Sequence, residues 1–238
     1  MGEVRIGTAG WAIPRQAAER FPAAGTSLER YAARFRCAEI NSTFHRPHRA
    51  STFERWAASV PEDFRFAVKL PKTITHKAKL VDCVALVESF AAEIAPLGHR
   101  RGPLLVQLPP SLAFDAEVAG TFFEQLPGPA VCEPRHASWF SPEADALLRR
   151  WEVARVAADP AICEAAAEPG GWRGLSYFRL HGSPRTYWSS YEADALRHWS
   201  ERVGAARRGG GACWVIFDNT AGGAAAGNAL DLEALLGG

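Results

Sequence analysis

Eight short apolar runs punctuate the chain, and amphipathic stretches fill most of the gaps between them. The runs are 4–8 (VRIGT), 37–41 (CAEIN), 64–70 (FRFAVKL), 104–108 (LLVQL), 130–135 (AVCEPR), 153–158 (VARVAA), 176–181 (SYFRLH) and 213–218 (CWVIFD). Each has the length and the branched or aromatic content of a strand. Helical spacing follows in the gaps. Residues 27–36 place Leu28, Tyr31 and Phe35 on one face behind Ser27 as the cap. Residues 51–60 open on a Ser51–Glu54 capping box and bury Phe53, Trp56 and Ala57. Residues 82–97 start at Asp82 and carry Leu86, Phe90 and Ile94, and 141–151 open on Ser-Pro-Glu, a cap with proline at the first helical position. Residues 192–207 and 228–236 supply two more helices. Strand–helix alternation predicts an α/β protein with a parallel sheet. Eight units in 238 residues fit a closed, TIM-barrel-like (β/α)8 barrel forming a single domain over 1–238. An open doubly wound sheet would bring a glycine-rich phosphate turn after its first strand, which GTAGW (7–11) does not match.

Side chains two apart on a strand share a face. On that period Glu39 and Asn41 stand together, opposite Ile40, and Arg65 and Lys69 oppose Phe66 and Val68. Gln107 opposes Val106, Glu133 and Arg135 oppose Cys132, Arg179 and His181 oppose Phe178 and Leu180, and Asp218 opposes Phe217. The helix-facing side of a barrel strand is apolar, so the polar parity faces the lumen. Most of these groups sit toward the C-terminal strand ends, where barrel active sites are built. Taking an ion out of water costs several kcal/mol, and Val, Ile and Leu fill a barrel without that cost. Glu39, Lys69, Glu133, Arg135, Arg179, His181 and Asp218 together therefore predict a polar, anion-binding pocket. The competing structural reading is a satisfied ionic plug. The loops add Trp11, His45, His76, His136, Trp139, Tyr187, Trp188, Tyr191 and Asn219, aromatics and donors suited to stacking on a sugar or base. Trp56, Trp151 and Trp199 lie on helix faces and read as core.

Net charge is +1, which advertises no broad nucleic-acid or membrane field. No apolar run approaches a membrane span, and MGEVRIGTAGW is no signal peptide, so no membrane partner is expected. Cysteines at 37, 83, 132, 163 and 213 form no CxxC pair, which fits a reducing cytoplasm rather than a disulfide framework. The apolar helix stripes are those any barrel shows, so they assign no dimer face.

The motifs IGTAGW (6–11), EINSTFHR (39–46), FAVKLPKTITH (66–76), LVQLPP (105–110), EPRHASW (133–139), YFRLHG (177–182), Tyr187, Tyr191 and FDNTAGGAAAGNA (217–229) resemble the YecE-like family, also called the domain-of-unknown-function 72 family. The likeness runs over nearly all of the chain. It implies a TIM-barrel-like fold and leaves the activity open. Two positions depart from the family pattern. His45 stands where a tyrosine usually follows Thr-Phe, and Pro134 stands where an aromatic usually separates the Glu and Arg of the fifth strand.

Three chemistries fit the residues. The first is a hydrolase using acid–base catalysis by Glu39, Glu133, His181 and Asp218 on a phosphorylated, nucleotide-like or sugar-like substrate. Asn41, Lys69, Gln107, Arg135, His136, Arg179, Tyr187, Tyr191, Asn219 and Trp11 would bind that substrate. The loops after strands seven and eight, HGSPR and DNTAGG, are small and donor-rich, as barrel phosphate loops are. A metal-dependent phosphodiesterase or isomerase is the variant in which Glu39, Glu133, His181 and Asp218 hold a divalent ion. The sequence requires no cofactor, and three basic neighbours oppose a bound cation. The second is a non-catalytic module gripping a nucleotide or single-stranded nucleic acid. The third is a partner-binding protein whose site is vestigial.

Overall fold

The computed structural model describes residues 2–237. All eight apolar runs form strands: β1 (Val4–Thr8), β2 (Cys37–Ile40), β3 (Arg65–Lys69), β4 (Arg101–Gln107), β5 (Ala130–Glu133), β6 (Val153–Arg155) with its continuation β7 (Ala157–Asp159), β9 (Leu175–Leu180) and β10 (Ala212–Phe217). β8 (Gly170–Gly171) is a two-residue ribbon antiparallel to β6. The helices are α1 (Ser27–Ala32), α2 (Ala50–Ala58), α3 (Val84–Ile94), α4 (Ala116–Glu124), α5 (Pro142–Arg150), α6 (Ala193–Arg208) and α7 (Ala225–Gly237).

Two parallel ladders carry the ring, β2-β3-β4-β5-β6 and β1-β10-β9-β7. They meet at two seams. At Val156 one strand changes partner: β6 pairs with β5, β7 pairs with β9, and the Val156 amide donates to Cys132 O at 2.8 Å. At the other seam β1 and β2 share a single bridge, Ala9 to Glu39, extended by Gly10 N to Glu39 O at 2.8 Å. The result is the eight-stave barrel that the strand count predicts.

Five details differ from the sequence reading. Helix α4 fills a gap where no helix is expected; Asp115 caps it, and Ala119, Phe122 and Phe123 face the core. No α-helix follows β7, where a short 3-10 turn (Glu164–Ala167) and β8 stand instead. Thr26 rather than Ser27 caps α1, in a true capping box with Glu29. The Ser51–Glu54 box does not form, because α2 starts one residue earlier behind Arg49, and Asp82 caps nothing, because Cys83 precedes α3. The expected Ser141 cap with Pro142 at the first helical position is present.

The apolar parity packs outward against the helices through Phe35, Phe53, Phe66, Phe122, Phe178 and Val203. The lumen holds a second cluster: Cys37, Ala67, Leu105, Val131, Val156, Tyr177, Trp214 and Ile216. Tyr177 and Trp214 stack at 6.0 Å and fill the lower half. Gly7 lets β1 approach β2 there, since a Cβ on it would lie 2.2 Å from Cys37 O.

This crowding sets a test. Gly7→Ala should lower stability by about 1–3 kcal/mol through overpacking. Gly227→Ala, where a Cβ on α7 meets nothing within 4 Å, should be neutral or stabilising by up to about 1 kcal/mol. Urea unfolding midpoints of the two variants check the contrast.

Candidate functional site

Two tiers of polar side chains fill the C-terminal half of the lumen. Register brings them level: Gln107 sits opposite Glu133, and Ile216 opposite Arg179. The ladder runs on past β9 and β10, with His181 N donating to Asp159 O and Asp218 N to Leu180 O, both at 2.8 Å. His181 and Asp218 are thus held as firmly as strand residues.

The inner tier centres on Arg179, which is fully buried. Its Nε and Nη2 donate to the two oxygens of Glu39 at 3.1 and 2.7 Å. Nη1 donates to Glu133 Oε2 at 2.5 Å, and Nη2 also reaches Asp218 Oδ2 at 2.9 Å. The Tyr177 hydroxyl donates to Glu39 Oε2 at 2.9 Å. Burial and the Glu39 charge hold that phenol well above its usual range, so it stays a donor. Glu39 therefore has both oxygens occupied and no exposure.

The outer tier centres on His181. Its Nδ1 lies 3.1 Å from Asp218 Oδ2, and its Nε2 3.0 Å from Glu133 Oε1. Arg135 donates to Glu133 Oε1 through Nη2, which also lies 2.9 Å from His181 Nε2. With the ring proton on Nδ1 and given to Asp218, Nε2 accepts from Arg135. With a second proton on Nε2, the ring bridges both carboxylates. The Arg135 side chain is 16% exposed, and its buried Nε has no partner. Asn41 Nδ2 approaches Asp218 Oδ1 at 3.5 Å, and its buried Oδ1 is also unpartnered. Lys69 is 9% exposed and rests its ammonium on the Phe44 ring, 4.4 Å from the centroid. Gln107 is half-buried beside Glu133.

The electrostatics divide by sign. Burial pushes the Glu133 carboxyl up, but Arg179, Arg135 and His181 outweigh it and hold it well below the usual carboxylate range. Asp218 is also lowered, with burial opposed by Arg179 and His181. Burial and the Arg179 charge push the Lys69 ammonium down against the pull of the three carboxylates.

The loop residues behave differently. Tyr187 does reach the mouth: it is 42% exposed, and its ring stands edge-on to His181 at 5.5 Å. Gly182, at φ +92°, turns the chain so that this loop folds back, and a Cβ on it would lie 2.7 Å from Ser189 O. Trp11 packs against Trp56 and Phe66 at 4.9 and 5.9 Å. His136 caps the turn Ala137–Phe140 by accepting from Ser138 N. The Tyr191 hydroxyl donates to Asp159 at 2.5 Å and accepts from Gly182 N at 2.9 Å. Asn219 donates to Ser189 O and to Asn228 Oδ1, both at 2.9 Å. Tyr191 and Asn219 therefore hold the 182–191 loop in place. Three contributors lie outside the sequence-based candidate set: Phe44, Tyr177 and Asn228. Tyr177 shares the Arg179 parity, which is a readable signal. Asn228 is a lone amide in an alanine-rich helix. Nothing in the local pattern marks Phe44.

Among the described residues no group of three or more His, Cys, Asp and Glu side chains is arranged to hold a metal ion. The place between the three carboxylates is taken by the Arg179 guanidinium, which already supplies the counter-charge. The cysteines are all unpaired, and no helix among the described residues is long and apolar enough to cross a membrane.

A closed parallel α/β barrel with a charged cluster at its C-terminal mouth is the class that this architecture defines. Residues 5–238 match the family model described as "Protein of unknown function DUF72", and the chain belongs to that family. UPF0759 protein YecE of Escherichia coli (strain K12) is 36% identical over 119 residues, covering 49% of this chain and 44% of that protein. The chain thus matches less than half the length of that relative. UPF0759 protein YunF of Bacillus subtilis (strain 168) is 24% identical, over 98% of this chain and 94% of that one. A crystal structure of a DUF72 family protein from Thermotoga maritima is 26% identical, covers 99% of this chain and 100% of its own, and superimposes with a TM-score of 0.82. One from Enterococcus faecalis, 21% identical over 98% and 95% of the two chains, gives 0.81 and shares the fold.

The inner tier predicts a reversal of pH dependence. In the wild type, Glu133 and Asp218 are lowered on folding, so their contribution is present above the unfolded values near 4 and is lost as pH falls through the folded ones. Stability should hold from pH 7 to about 5 and drop below about 4. Arg179→Leu should cost about 3–5 kcal/mol by stranding buried carboxylates. In that variant burial, the largest influence left on Asp218 against His181 and Lys69, is expected to raise its carboxyl, so its contribution is present at acid pH and lost as pH rises. Urea midpoints from pH 5 to 8 should therefore fall with pH in Arg179→Leu and stay level in the wild type.

Proposed function

We propose that the mouth takes a small phosphorylated or sugar-like molecule and performs acid–base chemistry on it, in the manner of a hydrolase, with His181 as the proton-transfer group. The observation that carries this reading is the position of Arg135. One edge of its guanidinium covers His181 Nε2 and Glu133, while the side chain reaches solvent and leaves Nε unpartnered. An arriving phosphate or carboxylate competes for that guanidinium, which suits bidentate anion recognition. Drawing it outward uncovers Nε2 toward the ligand.

The carboxylates then take separate roles. Asp218 orients the ring through Nδ1, and the negative charges of Asp218 and Glu133 stabilise an imidazolium. Neither is raised as the acid of a two-carboxylate glycosidase is, so proton donation falls to His181. Glu39 and Arg179, sealed below, are positioning residues. The free Asn41 Oδ1 is placed to accept from a ligand hydroxyl.

Calorimetric titration with inorganic phosphate and glucose 6-phosphate tests the anion site. Saturable binding is expected, weakened about tenfold or more in Arg135→Gln, the loss of one charge-assisted pair. Equal affinity in that variant removes Arg135 from the site. In a screen of phosphate-ester and glycoside hydrolysis, His181→Gln should bind within a few-fold of the wild type and turn over about a hundredfold or more slowly. Undiminished turnover in that variant defeats the acid–base role.

A further inference from the structure

We propose that Lys69 is a nucleophilic amine that forms an imine with an anionic aldehyde or ketone bound at the barrel mouth. The inference rests on the reading of the mouth as an anion site and adds a covalent step to it.

Three observations converge on Lys69. The first is composition. Among 27 lysines and arginines, lysine occurs only at 69, 72, 77 and 79. Lys72, Lys77 and Lys79 are exposed on the loop after β3, and Lys69 alone lies inside the barrel. The other buried cations are arginines, at 5, 155 and 179, and so is the part-buried Arg135. Arginine does that work better where only charge and donors are needed, and it does not give up its proton. A lysine at this one interior position fits a reaction that needs a free amine.

The second observation is the setting of the ammonium. The nearby carboxylate oxygens are committed elsewhere: Glu39 to Arg179 and Tyr177, Glu133 to Arg179, Arg135 and His181, Asp218 to Arg179, His181 and Asn41. Among the described residues Lys69 forms no ion pair. Its Nζ rests on an aromatic face, that of Phe44. A carboxylate in contact would hold the proton on nitrogen; a ring positions the amine and holds the proton less tightly.

The third is placement. Lys69 ends β3, pointing into the lumen at the mouth, and the Thr43 hydroxyl ties its carbonyl at 2.6 Å. The charged and titratable groups facing it are Arg179 on β9, Glu39 on β2, Glu133 on β5, Asp218 after β10 and His76 on the following loop. Burial and Arg179 favour its neutral form, the carboxylates oppose them, and the net effect lowers the ammonium's pKa from its usual value. Desolvation beside another cation is a general way of activating an amine.

The step balances without a further reactant. The ammonium gives a proton to solvent. The Nζ lone pair adds to the carbonyl carbon, and the carbonyl π pair goes to oxygen. A second nitrogen proton moves to that oxygen through solvent. The hydroxyl takes the last nitrogen proton through solvent and leaves as water, the nitrogen lone pair closes the double bond, and C=N replaces C=O. An anionic group on the same molecule pairs with Arg135.

Reductive trapping tests this. The full-length protein is incubated with pyridoxal 5′-phosphate or glyceraldehyde 3-phosphate plus cyanoborohydride, and tryptic peptides are read by mass spectrometry. The reduced adduct adds the mass of the aldehyde less one oxygen. Lys69 should label at least about tenfold faster than Lys72, Lys77 or Lys79 at neutral pH, as a lowered amine does. The excess should shrink as pH rises and the surface amines deprotonate. Lys69→Arg, which keeps the charge, should lose only the interior adduct, and its unchanged melting temperature reports an intact fold. Equal labelling of all four lysines, or no Lys69 adduct, overturns the proposal. Phosphate binding measured on the same sample separates the two failures: binding without trapping defeats only the imine, whereas loss of both defeats the anion site as well.

Discussion

A guanidinium sealed from water has to find its counter-charges inside the protein, and the rest of the structure is arranged around Arg179 doing so. Its partners come from β2, from β5 and from the turn after β10. No local segment could supply them. The ring must close, and every strand must hold its register, before the charge is tolerated. A one-residue slip of β2 would carry Glu39 to the helix side and leave Arg179 short of its bidentate partner. Taking the ion out of water costs several kcal/mol, and only well-made hydrogen bonds offset it. The inner tier therefore acts as a specification for one fold as much as a source of stability.

The two tiers separate two demands that often conflict. Glu39, Tyr177 and Arg179 are saturated by one another and by Glu133 and Asp218, and none of the three meets solvent. Above them, Arg135 and Asn41 keep buried polar atoms without partners, and Lys69 sits on a ring. Buried polar atoms without partners are uncommon in folded proteins, and each asks for an explanation. Those of Arg135 and Asn41 lie on the side of the network that faces the mouth, where a ligand would complete them, whereas those of Arg100, Gln125 and Arg155 lie away from it. The plug and the pocket are both present, one stacked on the other.

The period-two alternation made the strand-borne part of the cluster readable in advance. Glu39, Lys69, Glu133, Arg135, Arg179, His181 and Asp218 do meet, because a strand's direction and pleat determine where its side chains point. Loop residues carry no such rule. Trp11, His136, Tyr191 and Asn219 lie near the mouth in sequence terms, yet they pack, cap or brace. Their direction depends on tertiary contacts such as Asp159 with Tyr191 and Asn228 with Asn219. Helix starts suffered similarly. Adjacent Thr26 and Ser27 offer equivalent caps, and geometry chooses the first. Helix α4 is hard to read because its apolar residues follow a proline-rich strand end, LPPS, that reads as an open loop.

The seam between β1 and β2 has a consequence for motion. Most neighbouring staves share three or more residue pairs, whereas this one is a single bridge at Ala9 and Glu39. The backbone of the residue that anchors the deepest charge is thus also the clasp of the ring. Breathing of the barrel at its least-tied joint would tug on that carboxylate, and a molecule that tightens the charge cluster would in turn fasten the clasp. The barrel wall and its electrostatics are one mechanical element at that point.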